Sequence, residues 1–348
     1  MYFLTNTSKL ILAGGGSLIL PIVLLFTFYI CYHLFSLFIF LKFKAFFKYF
    51  SNIIILYFCI FLIMFCLGFV LKILFQTANI NDVINSSFKL IDIDSFIFRE
   101  YPFLWFHYDY FRNETINKFL INLLYPVYFS LAFSMSILWI ISLYKNIEDF
   151  YKLNFSILFA LALALPIWAF IPAISPQEIL VDKVIPNLQY DVELTRALSH
   201  FKPSSEVILI FDKFNKMWDS GESNYAISTF PSMHIAWTFI VLYFGKKLNK
   251  KWLTVSLWIY LILMSISTVY FLQHYLVDTP AGIAIALISI YLSEKLLTKA
   301  PHFLVEIHKA LIDDIKDAKK FLYEVNILLK LLSRRVIGRV QKKLLKRH

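Results

Sequence analysis

Seven stretches of this 348-residue chain are apolar for long enough to cross a lipid bilayer, which confines it to one architecture, an all-α polytopic membrane bundle. Hydrocarbon offers no water to backbone N–H and C=O groups, so each crossing must satisfy its own hydrogen bonds as a helix. The stretches lie near 16–41, 51–75, 119–143, 153–171, 231–246, 252–272 and 277–297. The fifth is short and puts His234 at its boundary. The first begins weakly, at Gly14-Gly15-Gly16 and Pro21. Hydrophobic residues make up 59% and charged residues 16% of the chain, where soluble domains run nearer half and a quarter. Cys31, Cys59 and Cys66 all fall inside apolar runs, with no disulfide framework and no zinc spacing.

Charge orients the spans. Lys42, Lys44 and Lys48, then Lys145 and Lys152, then Lys246, Lys247, Lys250 and Lys251 occupy short connections that fall on one side if the N-terminus is outside. The positive-inside rule makes that side cytoplasmic. Two long connections, about 76–118 and 172–230, then lie outside, and connections this long without secondary structure are uncommon unless functional. Residues 301–348 carry twelve Lys or Arg against five Asp or Glu. Within them Leu311, Ile315, Ala318, Leu322, Val325, Leu329, Leu332 and Val336 alternate spacings of four and three. That seam suits an amphipathic helix on the anionic cytoplasmic leaflet, or a coiled coil joining copies of the chain. A lipid partner is expected for this tail, not nucleic acid. The expected organisation is an extra span and basic loop over 1–50, a membrane core over 51–297, and a basic helix over 298–348.

Two polar islands stand where apolar runs meet water: Ser228-Thr-Phe-Pro-Ser-Met-His234 and Gln273-His-Tyr-Leu-Val-Asp278. Ionisable side chains at such boundaries are functional candidates, and both islands are expected on the outer face. Pro231 suits the first turn of a helix, whose free N–H groups favour an anion, with Ser232 adding a hydroxyl. The plainer reading is a Ser/Thr cap beside an interfacial histidine. His274 and Asp278 are four apart, so on a helix they would share one face. A carboxylate on one ring nitrogen fixes the tautomer and leaves the other nitrogen free to attack. Asp278 would also serve as a plain helix cap with Pro280 in the first turn. Two histidines and a carboxylate can bind zinc, but no further ligand cluster accompanies them, so neither metal nor other cofactor is expected.

Pro231-Ser-Met-His234, followed by Ser267-Thr268, five residues, His274, three residues and Asp278, resembles the type-2 phosphatidic acid phosphatase superfamily. That family reads Pro-Ser-Gly-His and then Ser-Arg-x5-His-x3-Asp. Thr268 stands where the family has arginine, and its Lys-x6-Arg-Pro motif is absent from the chain. Both departures resemble the branch that includes the inositol phosphorylceramide synthases, as do His234-Ile-Ala236, Gln273–Asp278 with Ala281-Gly282, and Pro172-Ala-Ile-Ser-Pro176. The resemblance covers roughly residues 120–297.

The resemblance implies a six-helix core and a phosphotransferase or phosphatase acting on lipid-linked phosphate. It implies His274 as the nucleophile that becomes phosphohistidine, Asp278 as its orienting carboxylate, and His234 as the acid that protonates the leaving oxygen. Ser232 matches a phosphate-binding position. Arg196, Lys202 and Lys183, in the connection before the motif, are candidates to replace the missing motif arginines, with Arg196 first because its fork grips phosphate in two places. The competing non-enzymatic expectation is a membrane scaffold that keeps the fold.

Overall fold

The structure is a computed structural model that describes residues 78–107, 113–180, 192–201, 203–210 and 229–299, with isolated positions in the tail. The expected spans near 16–41 and 51–75, the tail seam, and Lys183 and Lys202 lie outside the described residues. What is described is helical, without strands, as expected of a membrane bundle.

Helix starts follow local chemistry. Asn79 caps α1 (Ile80–Phe98) by accepting from the Asn81 amide. A 3-10 helix, Pro102–His107, follows. Asn113 caps α2 (Glu114–Phe129), accepting from the amides of Thr115 and Ile116. A short polar side chain at this position satisfies an amide that the helix leaves without a partner, and contributes about 1 kcal/mol. After α2 come α3 (Leu131–Lys145) and α4 (Ile147–Phe170), the latter capped by Asn146 with Glu148 and Asp149 in its first turn. Then come α5 (Pro176–Leu180), α6 (Val192–Ser199), α7 (Met233–Lys246), α8 (Lys251–Tyr270) and α9 (Asp278–Leu296).

Helices α4, α8 and α9 are each long and apolar enough to cross a membrane and reproduce the spans expected near 153–171, 252–272 and 277–297. The stretch expected to span over 119–143 is apolar and long enough only as a pair, α2 and α3, bent by 47° at the break between them. The bend falls at Ser130, whose amide is shared between the carbonyls of Pro126 (2.9 Å) and Val127 (3.2 Å), while Pro126 itself sits inside α2, one turn earlier. The two long connections are also not structureless, because α1 and the 3-10 helix occupy the first, and α5 and α6 the second.

At the centre stands α7, which packs against α3, α4, α8 and α9. Its buried residues run all round the helix, from Met233, Ile235 and Ala236 to Phe244 and Gly245. An all-apolar helix of this kind belongs inside the bundle. On α8, by contrast, Trp252, Val255, Trp258, Ile259 and Ile262 form one exposed stripe, as do Phe133, Ile137, Ile140 and Tyr144 on α3. Exposed apolar stripes of this kind suit contact with lipid.

Two features set the ends of the bundle. At one end Lys247 bridges Asp149 Oδ1 (3.0 Å) and Glu294, while Lys152 reaches Glu294 Oε2 (2.6 Å), tying α4, α7 and α9 together. At the other end α9 presses on the start of α7 at Gly282. A Cβ there would lie 2.5 Å from the Ser232 carbonyl oxygen and 3.0 Å from Ile235 Cβ. Backbone cannot give way as a flexible side chain can. Gly282→Ala should therefore push the two helices apart, destabilising the protein by about 1–3 kcal/mol, as overpacking does. Thermal unfolding in detergent checks this, and an unchanged midpoint would show that the contact is slack.

Candidate active site

The polar islands meet at the Gly282 end. Ser232 caps α7 by accepting from the Ile235 amide (3.4 Å), and His234 lies in the first turn of that helix. His274 does not sit on a helix with Asp278, as the spacing suggested. It lies in the turn between α8 and α9, and Asp278 is the first residue of α9. The pair meets because the turn folds back: the Gln273 and His274 amides both bond to the Thr268 carbonyl (2.9 and 3.2 Å). Leu272 takes a left-handed conformation (φ 53°), held by a bond from the Gln177 amide to its carbonyl (2.9 Å). Asp278 Oδ2 accepts from the Tyr275 amide at 3.0 Å, closing the turn on itself.

These contacts decide the His274 tautomer. Its Nδ1 is 3.0 Å from Asp278 Oδ2 and 2.9 Å from the Thr229 carbonyl oxygen. Both partners are acceptors, so Nδ1 carries the proton and Nε2 carries the lone pair. That Nε2 faces His234 Nδ1 at 3.4 Å, with the two rings at 68°. Tyr128 of α2 lies against the other ring, its centroid 4.6 Å from that of His234 and nearly parallel to it. One histidine is thus steered by a carboxylate and a carbonyl, the other by an aromatic face. His274 and Asp278 are buried. Burial pushes the His274 imidazole down to about 4, with the Thr229 carbonyl opposing the shift. The ring is neutral at physiological pH.

The structure therefore brings together His274, Asp278, His234 and Ser232. Arg196 is placed elsewhere in character: it is exposed on α6, and among the described residues no hydrogen bond or ion pair ties it to the two histidines. Thr268, at the position of the family's arginine, is buried and donates to the Ser265 carbonyl (2.9 Å). Sequence reasoning missed the Thr229 carbonyl, Tyr128, and Asp94 of α1, whose carboxylate accepts from the Leu276 and Val277 amides. A backbone carbonyl has no sequence signature, and Tyr128 looks like any aromatic in an apolar run. Asp94 carried the only available signal, an acid on the apolar face of an amphipathic stretch.

The arrangement offers a bare imidazole nitrogen beside a second histidine at the mouth of a helix N-terminus, which suits nucleophilic attack on an anionic centre with proton transfer close by. The sequence profile described as the PAP2 superfamily matches residues 102–292. Comparison with curated proteins and with solved structures gives no match.

The tautomer is testable without any substrate. Nitrogen NMR of isotope-labelled histidine, assigned through His274→Asn, should show a protonated Nδ1 and a bare Nε2. This state should persist through pH 6.5 and give way only as the pH falls to about 4, because a depressed pKa delays protonation. A midpoint near 6.5, or the opposite tautomer, would contradict the geometry.

Proposed function

The chain belongs to the PAP2 superfamily, whose members are generally phosphatases and phosphotransferases, and from that premise we propose that it transfers a phospho-head-group between lipids through His274. The observation that carries the reading is the bare Nε2 of His274, aimed at His234 and held by Asp278. In the first step Nε2 attacks phosphorus, the bond from phosphorus to the donor lipid's oxygen breaks, and that oxygen takes a proton from His234. Asp278 and the Thr229 carbonyl stabilise the positive charge that the ring acquires. In the second step an acceptor hydroxyl gives its proton to His234 and attacks the phosphohistidine, releasing the ring. The Met233 and His234 amides at the start of α7 and the Ser232 hydroxyl hydrogen bind the phosphate oxygens, the Ile235 amide being taken by the cap.

Charge favours a phosphodiester over a phosphomonoester as donor, the class an inositolphosphotransferase would use. A phosphodiester donor carries one negative charge and a phosphomonoester up to two. Thr268 replaces a motif arginine, Arg196 is exposed, and the α7 amides carry only partial charge, so the described site suits the less charged substrate. The residues Gln273–Asp278 support the same branch by their resemblance to the inositol phosphorylceramide synthases.

The test is incubation of purified protein with phospholipid and polyprenyl phosphate donors, with and without a lipid alcohol, scoring free phosphate against new phospholipid. New phospholipid is expected from a diester donor. Free phosphate alone would assign hydrolysis. His274→Ala should lose more than the roughly 10²–10⁴-fold typical of removing only an acid or base. Near-normal turnover in that variant would end the phosphohistidine mechanism.

The protein is an integral membrane protein. We place the histidine end outside the cell. Asp278 and Glu294 lie at opposite ends of α9, roughly 24 Å apart at 1.5 Å per residue, close to the thickness of a bilayer core. The Lys152 and Lys247 ion pairs mark the far end, which the positive-inside rule makes cytoplasmic. A single cysteine introduced at Ser223, in a variant lacking the three native cysteines, should react with a membrane-impermeant thiol reagent on intact cells. Labelling only after lysis would reverse the orientation.

A further inference from the structure

Helix α1 lies before the segment that matches the superfamily, yet it reaches the catalytic turn. Its inward face is Val83, Ser87, Leu90, Ile91 and Asp94, all buried, at the spacing of one helical face. The opposite face exposes Ile93, Phe96 and Ile97. Near its start the Ser87 hydroxyl accepts from the Ile174 amide (3.1 Å), the stretch to which Tyr275 also ties itself by donating to the Ile174 carbonyl (3.0 Å). Near its end Asp94 sends its two carboxylate oxygens to two successive amides, Oδ2 to Leu276 and Oδ1 to Val277, both at 2.8 Å.

Those two amides belong to the turn that connects His274 to Asp278. They are the last residues before α9 begins, where a helix leaves its amides without partners. Val277 gives α9 no side-chain cap of its own. Asp94, from a distant part of the chain, supplies the capping acceptor from outside. Its carboxylate is completely buried, and an ionised group is kept in such a place only where its hydrogen bonds are made. Burial raises its pKa to about 6, the two amides opposing, so it is ionised at neutral pH and both oxygens accept.

We propose that Asp94 is a positioning residue for the transfer reaction: by clamping the Leu276 and Val277 amides it fixes the turn that sets the distance between His274 and Asp278 and the aim of His274 Nε2. The role rests on the reading of His274 as nucleophile. Asp94 touches neither the histidines nor the reacting atoms. It reaches the histidines through the backbone of the turn, its charge also bearing on Asp278 through space, and a displacement of about 1 Å at such a site is enough to cost about a hundredfold in rate.

The test uses the full chain in detergent with Asp94→Asn and Asp94→Ala. Asparagine keeps one acceptor oxygen and puts an NH₂ against the other amide, whereas alanine keeps none. Hydrogen exchange of peptides covering 271–278, read by mass spectrometry, should quicken in Asp94→Asn and more so in Asp94→Ala, with the lower half of α9 unchanged. With a donor that the wild type turns over, kcat should fall about tenfold for asparagine and about a hundredfold for alanine, KM staying within about twofold. Asparagine falling between wild type and alanine is the signature of a graded hold on the turn. Unchanged exchange at 271–278 overturns the proposal. So does quickened exchange with unchanged kcat, or a loss confined to KM. If alanine does not fold, the asparagine variant decides alone. A wild type that turns over no donor removes the phosphotransfer reading instead, and the exchange data still decide whether Asp94 holds the turn.

Discussion

One carboxylate oxygen, Asp278 Oδ2, accepts from both the His274 ring and the Tyr275 amide, and the geometry of the site follows from that double acceptance. The first bond fixes which ring nitrogen is protonated. The second folds the turn so that the ring can be reached at all. A fully buried carboxylate is costly unless such bonds are made, so the bonds and the burial require each other. Gly282, one turn further along α9, then lets the start of that helix lie against the start of α7. That approach delivers His234 to within 3.4 Å of His274. Two histidines forty residues apart in sequence meet because these contacts, with the Thr229 carbonyl and the Tyr128 ring, act together.

Much of this was legible in the chain because membranes impose simple rules. Three of the described spans match apolar runs to within a few residues at most ends, since hydrocarbon thickness sets helix length. The short fifth run is α7, and its brevity left His234 at the boundary as expected. The pairing of His274 with Asp278 was readable from spacing, but for an inexact reason. Helical periodicity would place the two on one face, whereas here a turn does so, and a turn closed by side-chain bonds leaves no periodic trace.

What was not legible has physical causes as well. Proline does not mark where a helix breaks: α2 runs on past Pro126 to Phe129 and breaks at Ser130. Pro166 sits inside α4, which continues past it as one helix. Composition does not separate the two cases; packing does. Ser130 donates its hydroxyl to the Tyr260 oxygen at 3.1 Å, a contact between residues far apart in the chain. Tyr128 was invisible for the same reason, and Asp94 signalled its burial but not its partner, since each acts on a group that only the fold brings near. Arg196 shows the converse. Residue type and a place in the connection before the motif recommended it; the helix that carries it leaves it exposed.

The lysine and carboxylate cluster at the far end has a bearing on how the molecule can move. Lys247, Lys152, Asp149 and Glu294 knot three helices, and Tyr243 adds its hydroxyl to Glu294 at 3.4 Å. The Ser156 and Ser293 hydroxyls, 2.7 Å apart, tie α4 to α9 beside it. Contacts at one level across three helices fix their axial register: α4, α7 and α9 cannot slide past one another without parting a charge pair or the serine contact, so the level of the first turn of α9 against that of α7 is set from both ends of the bundle.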